Sequence, residues 1–207
     1  MGVVFGSPPF RGKQMALASN ALIDRTYFKQ YADDQISVSE NDDAIENIIN
    51  AKTEEFHKYC EITQFKSRQY TEYYDGNGGG FLYPRNLPII SISSIHDSAE
   101  WDFTADTLID SDLYRSVDGR YVALQPTAPR FVQSTQNIKI VYTAGYANIP
   151  EDVKLACVRE VVREFQNRRH PDVSNINLDD GTIAFVEKGL LKSTKEVLDQ
   201  YRLLGVV

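Results

Sequence analysis

The chain has 207 residues, 42% of them hydrophobic and 25% charged, the balance of a globular protein with one domain and extensions or with two small domains. So much apolar side chain can offset chain entropy, which excludes disorder over the whole length. With 22 basic and 29 acidic side chains the net charge is −7, which argues against binding nucleic acid through a broad basic surface.

Residues 1–20 mix Gly, Pro, Ser and isolated apolar residues without a period and read as a flexible arm. Asp24 is placed to cap a short helix over 25–32 whose aromatic face is Tyr27, Phe28 and Tyr31. A longer helix is expected from Ser39 to about Glu61, because Ile45, Ile48, Ile49, Phe56, Tyr59 and Cys60 recur on one face.

The pattern then becomes β-rich. Residues 70–74, 81–83, 89–95, 121–124 and 138–142 are β-favouring runs separated by Gly, Pro, Asp and Asn, and Asp118-Gly119 is a turn signal. Helix returns after Pro150, with Glu151 and Asp152 in the first turn and Val153, Cys157, Val161 and Phe165 on one face, until Pro171 ends it. Residues 172–181 read as a loop and 182–186 as a strand. Ser193-Thr-Lys-Glu196 reads as a capping box opening a last helix over about 194–204. The expected class is α+β: a small helical bundle of three to four main helices with a β-rich middle segment of hairpins. The expected division is an arm (1–20), a core (21–172) and a C-terminal strand–helix extension (173–207).

Local chemistry is sparse. The Gly-rich segment Asp75–Gly80 lacks the Lys-Ser/Thr of a phosphate loop and reads as a turn. Asp33, Asp34, Asp42 and Asp43 lack the spacing and central Gly of a calcium loop. His57, His96 and His170 do not share a metal-ligand spacing, and no nucleophile elbow is present. Cys60 and Cys157 have no CxxC partner and read as free buried thiols. No apolar run reaches the roughly 18 residues of a membrane span, and no signal-peptide pattern opens the chain, so a soluble protein made in the cytoplasm is expected. Arg163, Arg168 and Arg169 either grip carboxylates or phosphates of a partner or only complement a helix dipole.

Charge is placed unevenly, with +3 over residues 1–30, −11 over 31–110 and +1 over 111–207. Such separation suits either a solvated acidic surface or complementary faces between molecules.

Three segments taken in order carry a resemblance. They are the helix over 42–61; Tyr74-Asp-Gly76 followed by Leu87-Pro-Ile-Ile-Ser-Ile-Ser-Ser-Ile95; and Val141-Tyr-Thr-Ala-Gly-Tyr146 followed by Ile149-Pro-Glu-Asp-Val-Lys-Leu-Ala156 and Arg168-Arg169. Together they resemble the head–tail connector, or adaptor, family of long-tailed double-stranded-DNA bacteriophages. The resemblance covers about 20–170, and residues 1–20 and 97–137 depart from the pattern.

It implies a structural virion protein at the head–tail junction, with no catalytic residue, cofactor or metal and no membrane partner. Such adaptors form a ring, usually of twelve subunits, beneath the portal protein. They extend the DNA channel and receive a stopper or tail-completion protein, and the duplex passes without specific binding. On that reading Asp42 and Asp43 face the channel, Arg163, Arg168 and Arg169 contact neighbours, and the face of Leu198, Tyr201 and Leu204 either docks on the portal or packs onto its own domain. The alternatives are a tail-completion or other tail-joining protein, and an enzyme with a dispersed site.

Overall fold

The computed structural model describes residues 16–32, 42–169, 175–178, 181–184 and 189–202. Within it, the side chains of Asp42, Arg168, Arg169 and residues 175–178 and 181–184 lie outside the description. Most of the expected arm, Asp33 and Asp34, the helix start expected at Ser39, His170 and Leu204 lie outside the described residues. The chain divides into two compact units, one of Met1–Phe56 with Asp152–Leu198 and one of His57–Glu151 with Asp199–Val207. This differs from the expected arm, core and extension, because helices distant in sequence pack together.

The first unit is helical. Helix α1 (Arg25–Ala32) is opened by Asp24, whose Oδ1 accepts the Tyr27 N–H at 2.7 Å. Helix α2 (Asp42–Cys60) buries Ile45, Ile49 and Phe56 completely, the face its spacing predicts. Helix α3 (Glu151–Arg169) starts directly after Pro150 and buries Val153, Cys157, Val158, Val161 and Phe165. Phe28 meets Phe165 edge-on, with ring centroids 6.4 Å apart.

From residue 16 the chain is pinned to α2. Asn50 accepts the Ala18 N–H at 2.9 Å and donates to the Ala16 carbonyl at 3.2 Å, and Thr53 Oγ1 accepts the Leu22 N–H at 3.2 Å. The arm boundary expected at residue 20 therefore falls inside a hydrogen-bonded segment.

Two elements differ from expectation in this unit. Strand β7 (Asn175–Leu178) lies in the segment read as loop and pairs antiparallel with β8 (Gly181–Ala184). Helix α4 (Lys192–Leu198) begins before Ser193 and ends six residues short of the expected stop.

The second unit holds two antiparallel sheets. The first has the order β1-β6-β3, formed by β1 (Arg68–Gly76), β3 (Ile89–Asp97) and β6 (Ser134–Ala144). The second has the order β2-β5-β4, formed by β2 (Phe81–Leu82), β4 (Tyr114–Val117) and β5 (Tyr121–Leu124). The class is thus α+β as expected, although the strands of the first sheet come from distant segments rather than from hairpins. The strand over 114–117 has no expected counterpart, since Arg115 and Ser116 break its apolar run. It forms because Asp118 and Gly119 take positive φ values of 51° and 65°, closing a tight turn onto β5.

Strand β6 is paired on both edges. Its inward residues Ile138, Ile140, Tyr142 and Ala144 join Ile95, Val122 and Phe131 in one buried cluster. The buried Tyr142 hydroxyl both donates and accepts: it donates to Glu72 Oε2 at 2.8 Å and accepts the Asn86 N–H at 3.1 Å. Glu72 also accepts from the Tyr74 hydroxyl, and from Asn86 Nδ2 at 2.7 Å. Burial first, and then the Glu72 carboxylate, push the Tyr74 phenol far above its ordinary value; burial does the same for Tyr142, so both stay neutral.

After β6 the chain turns at Gly145, with φ +106°. A Cβ there would lie 2.9 Å from both the Phe65 carbonyl oxygen and Ser67 Cα. The close approach lets Tyr146 N–H donate to Phe65 O at 2.7 Å and Ser67 N–H donate to Tyr146 O at 3.0 Å. Gly145→Ala is expected to cost about 3 kcal/mol or more, through backbone clash added to a disfavoured φ. Gly78→Ala, at φ +75° but with no atom within 4 Å of its Cβ, is expected to cost only about 1–2 kcal/mol. Urea titration of the two variants measures the difference.

Candidate functional site

The expected contact residues scatter across the fold. Asp42 and Asp43 open α2, where the helix dipole favours acids, and Asp43 is exposed. Arg168 and Arg169 are the last two residues of α3.

Arg163 is committed inside the chain. Its guanidinium donates to Glu160 Oε2 from Nε at 3.0 Å and from Nη2 at 2.6 Å, and it also donates to the Gly189 carbonyl. Glu160 is fully buried, and its other oxygen accepts the Leu191 N–H at 2.8 Å. The pair therefore clamps residues 189–191, and α4 behind them, to α3. The charge expected to contact a neighbour is thus already paired with a buried carboxylate. The sequence signal was available only as an i,i+3 Glu–Arg pair, which surface helices carry as well.

Of the docking face expected from Leu198, Tyr201 and Leu204, the first two residues are described and lie apart. Helix α4 ends at Leu198, whose side chain is fully buried in the first unit. Tyr201 lies past the helix, in the second unit, where its ring meets Phe65 and Tyr146, each with centroids 5.8 Å away. Arg202 holds Glu61 at 2.6 Å, and the Tyr59 hydroxyl donates to Asp199 at 2.8 Å. The C-terminal turn is thus tied down by its own unit, and Tyr201 does not continue the α4 face that carries Leu198.

Cys60 and Cys157 are free and buried, and burial pushes the Cys60 thiol up to about 12. His57 is buried, with Nε2 accepting the Phe65 N–H at 3.4 Å. His96 Nδ1 contacts the Thr104 carbonyl at 3.1 Å. Among the described residues no group of three or more His, Cys, Asp or Glu side chains could hold a metal ion, and no helix is long and apolar enough to cross a membrane.

Two surface features of the second unit were not singled out from sequence. Phe81 and Tyr83 are 53% and 51% exposed and both rest against Tyr121, at 5.9 and 5.5 Å between centroids. Trp101, 59% exposed, projects from the segment between β3 and β4. Both needed the fold to be seen, because aromatic residues in a β-rich stretch are normally core.

The clamp gives a direct test. Arg163→Ala leaves the Glu160 carboxylate buried with one N–H donor, and a loss of about 3 kcal/mol is expected in chemical denaturation, with partial recovery in Arg163→Lys.

A family model described as head completion protein matches residues 21–204, running through the 97–137 segment that departs from the resemblance. No curated protein matches the chain. Among solved structures, a chain from the neck of an empty GTA particle computed with C6 symmetry aligns at TM-score 0.59 and 15% identity, covering 93% of this chain and 95% of that one. A chain from the neck of a native GTA particle computed with C12 symmetry aligns at 0.52 and 15%, covering 82% and 90%. A chain from the virion of a native gene transfer agent particle aligns at 0.59 and 13%, covering 94% and 96%. These likenesses establish a shared fold, and the match along nearly the whole sequence establishes the family: the chain belongs to the head completion proteins.

Proposed function

We propose that this head completion protein is a structural component of the virion neck, a head–tail adaptor that forms a ring under the portal and joins the capsid to the stopper or tail. The family match over residues 21–204 carries the reading. It is supported by alignment along almost the full length of chains in two solved necks, computed with C6 and C12 symmetry. Twelve copies fit both symmetries.

The physical character of the chain suits that role. Several of its polar groups fasten segments: Glu160 on residues 189–191, Glu72 on β6, Asn50 on residues 16–18. Such satisfied networks rigidify a fold rather than poise it for chemistry. The net charge of −7 suits a wall past which a duplex must slide, since like charges keep phosphates from adhering. Asp43, exposed at the start of α2, is a candidate for that wall, with Asp42 beside it in sequence.

Production of particles from a genome lacking this chain tests the role. DNA-filled heads without attached tails, restored to whole particles by the chain supplied in trans, are expected. Whole infectious particles in its absence would refute the proposal, and a block before DNA packaging would assign the chain an earlier step.

A further inference from the structure

The second unit presents two exposed surfaces whose chemistry is opposite. The first is the outward face of the β2-β5-β4 sheet. Register places Phe81, Ala123 and Arg115 in one row across it, and Tyr121 bridges the rings of Phe81 and Tyr83. Arg120 is exposed in the turn joining β4 to β5. Arg130 is exposed, with its guanidinium packed against Gly80. Among the described residues Arg115, Arg120 and Arg130 have no carboxylate at ion-pair distance. Clustered aromatic rings rimmed by unpaired arginines have the composition of an interface centre.

The second surface is the segment over 97–112. It holds six acids (Asp97, Glu100, Asp102, Asp106, Asp110 and Asp112) and no lysine or arginine. None of the six has a basic partner among the described residues. Two large apolar side chains stand out from it, Trp101 and Leu108, at 59% and 48% exposure. Trp101 is held in position by its indole N–H, which donates to the Thr135 carbonyl at 2.8 Å. A fixed, exposed Trp loses little freedom on binding.

We propose that these are the two halves of a contact between successive copies of this chain, the acidic Trp101 segment of one copy seated on the arginine-rimmed Phe81–Tyr83–Tyr121 face of the next. The inference rests on the ring reading above. A ring of identical subunits needs two different, mutually complementary faces, and a head-to-tail contact supplies them. Charge complementarity selects the occupant, because a segment rich in acids and free of bases, with Trp101 fixed on it, stands on the same chain. Nucleic acid is disfavoured as the occupant by the six carboxylates carried on the same unit.

Trapping in particles tests the contact. Ala99→Cys and Ala123→Cys place a thiol in each half while keeping every aromatic and charged residue. Isolated particles carrying the double variant, mildly oxidised, are expected to yield a ladder of linked subunits on a non-reducing gel. The single variants are expected to yield none, since Cys60 and Cys157 are buried. Particles that contain the double variant without a ladder overturn the contact and leave the neck reading intact, whereas absence of the wild-type chain from particles refutes the neck reading itself.

Charge exchange gives a second readout. Arg115→Glu with Arg120→Glu is expected to cut incorporation by about tenfold with an unchanged melting curve, and adding Glu100→Arg with Asp106→Arg is expected to restore it. Unchanged incorporation overturns the contact, as does tight binding of an oligonucleotide probe that the two arginine changes abolish.

Discussion

The second unit depends on one close approach of backbone to backbone at Gly145. Strand β6 arrives there after pairing on both edges, and the chain must turn against residues 65–67 with φ +106°. Only glycine leaves room for the hydrogen bonds that tie Tyr146 to Phe65 and Ser67. The consequences run outward from that point. Strand β6 in the centre satisfies its backbone on both sides, its inner face packs the core, and its one buried phenol is met by Glu72 and Asn86. Tyr146, placed by the same turn, then offers its ring to Phe65 and Tyr201. The stretch Val141–Tyr146, which marks the resemblance to connector proteins, is therefore a folding signature. Its residues hold a strand and a turn.

Elements governed by local rules were legible. The 3–4 spacing along α2 and α3 anticipated the buried faces, and Asp24 caps α1 where its residue type suggested. Elements set by tertiary context were not. Strand β4 carries Arg115 and Ser116 and exists because its neighbour and its turn draw it into a sheet. Glu160 is an unremarkable acid in a helix until residues 189–191 come to lie on it. The stripe Leu198, Tyr201 and Leu204 has helical spacing, yet the helix ends at Leu198 and Tyr201 is captured by Phe65 and Tyr146. The spacing of three apolar residues over two turns is too short a signal to outweigh such packing.

Residues with conspicuous charge or pattern, Arg163 and Leu198, turned out to be internal fastenings. The surfaces with interface character instead consist of aromatic residues that sequence patterning assigns to a core, and of a run of acids that reads as solvated loop. A neck protein must be rigid within each copy and adhesive between copies. The clamp at Glu160 and the network at Glu72 serve the first need, and the exposed faces of the second unit are suited to the other.

The central claim is that the chain takes its place as a neck layer against the portal. Electron microscopy of the purified full chain, alone and mixed with the portal ring of the same particle, tests it most directly. A new rotationally symmetric layer stacked on the portal, into which the fold described above fits, is the result the account predicts. A portal ring that gains no density at any salt concentration would contradict it.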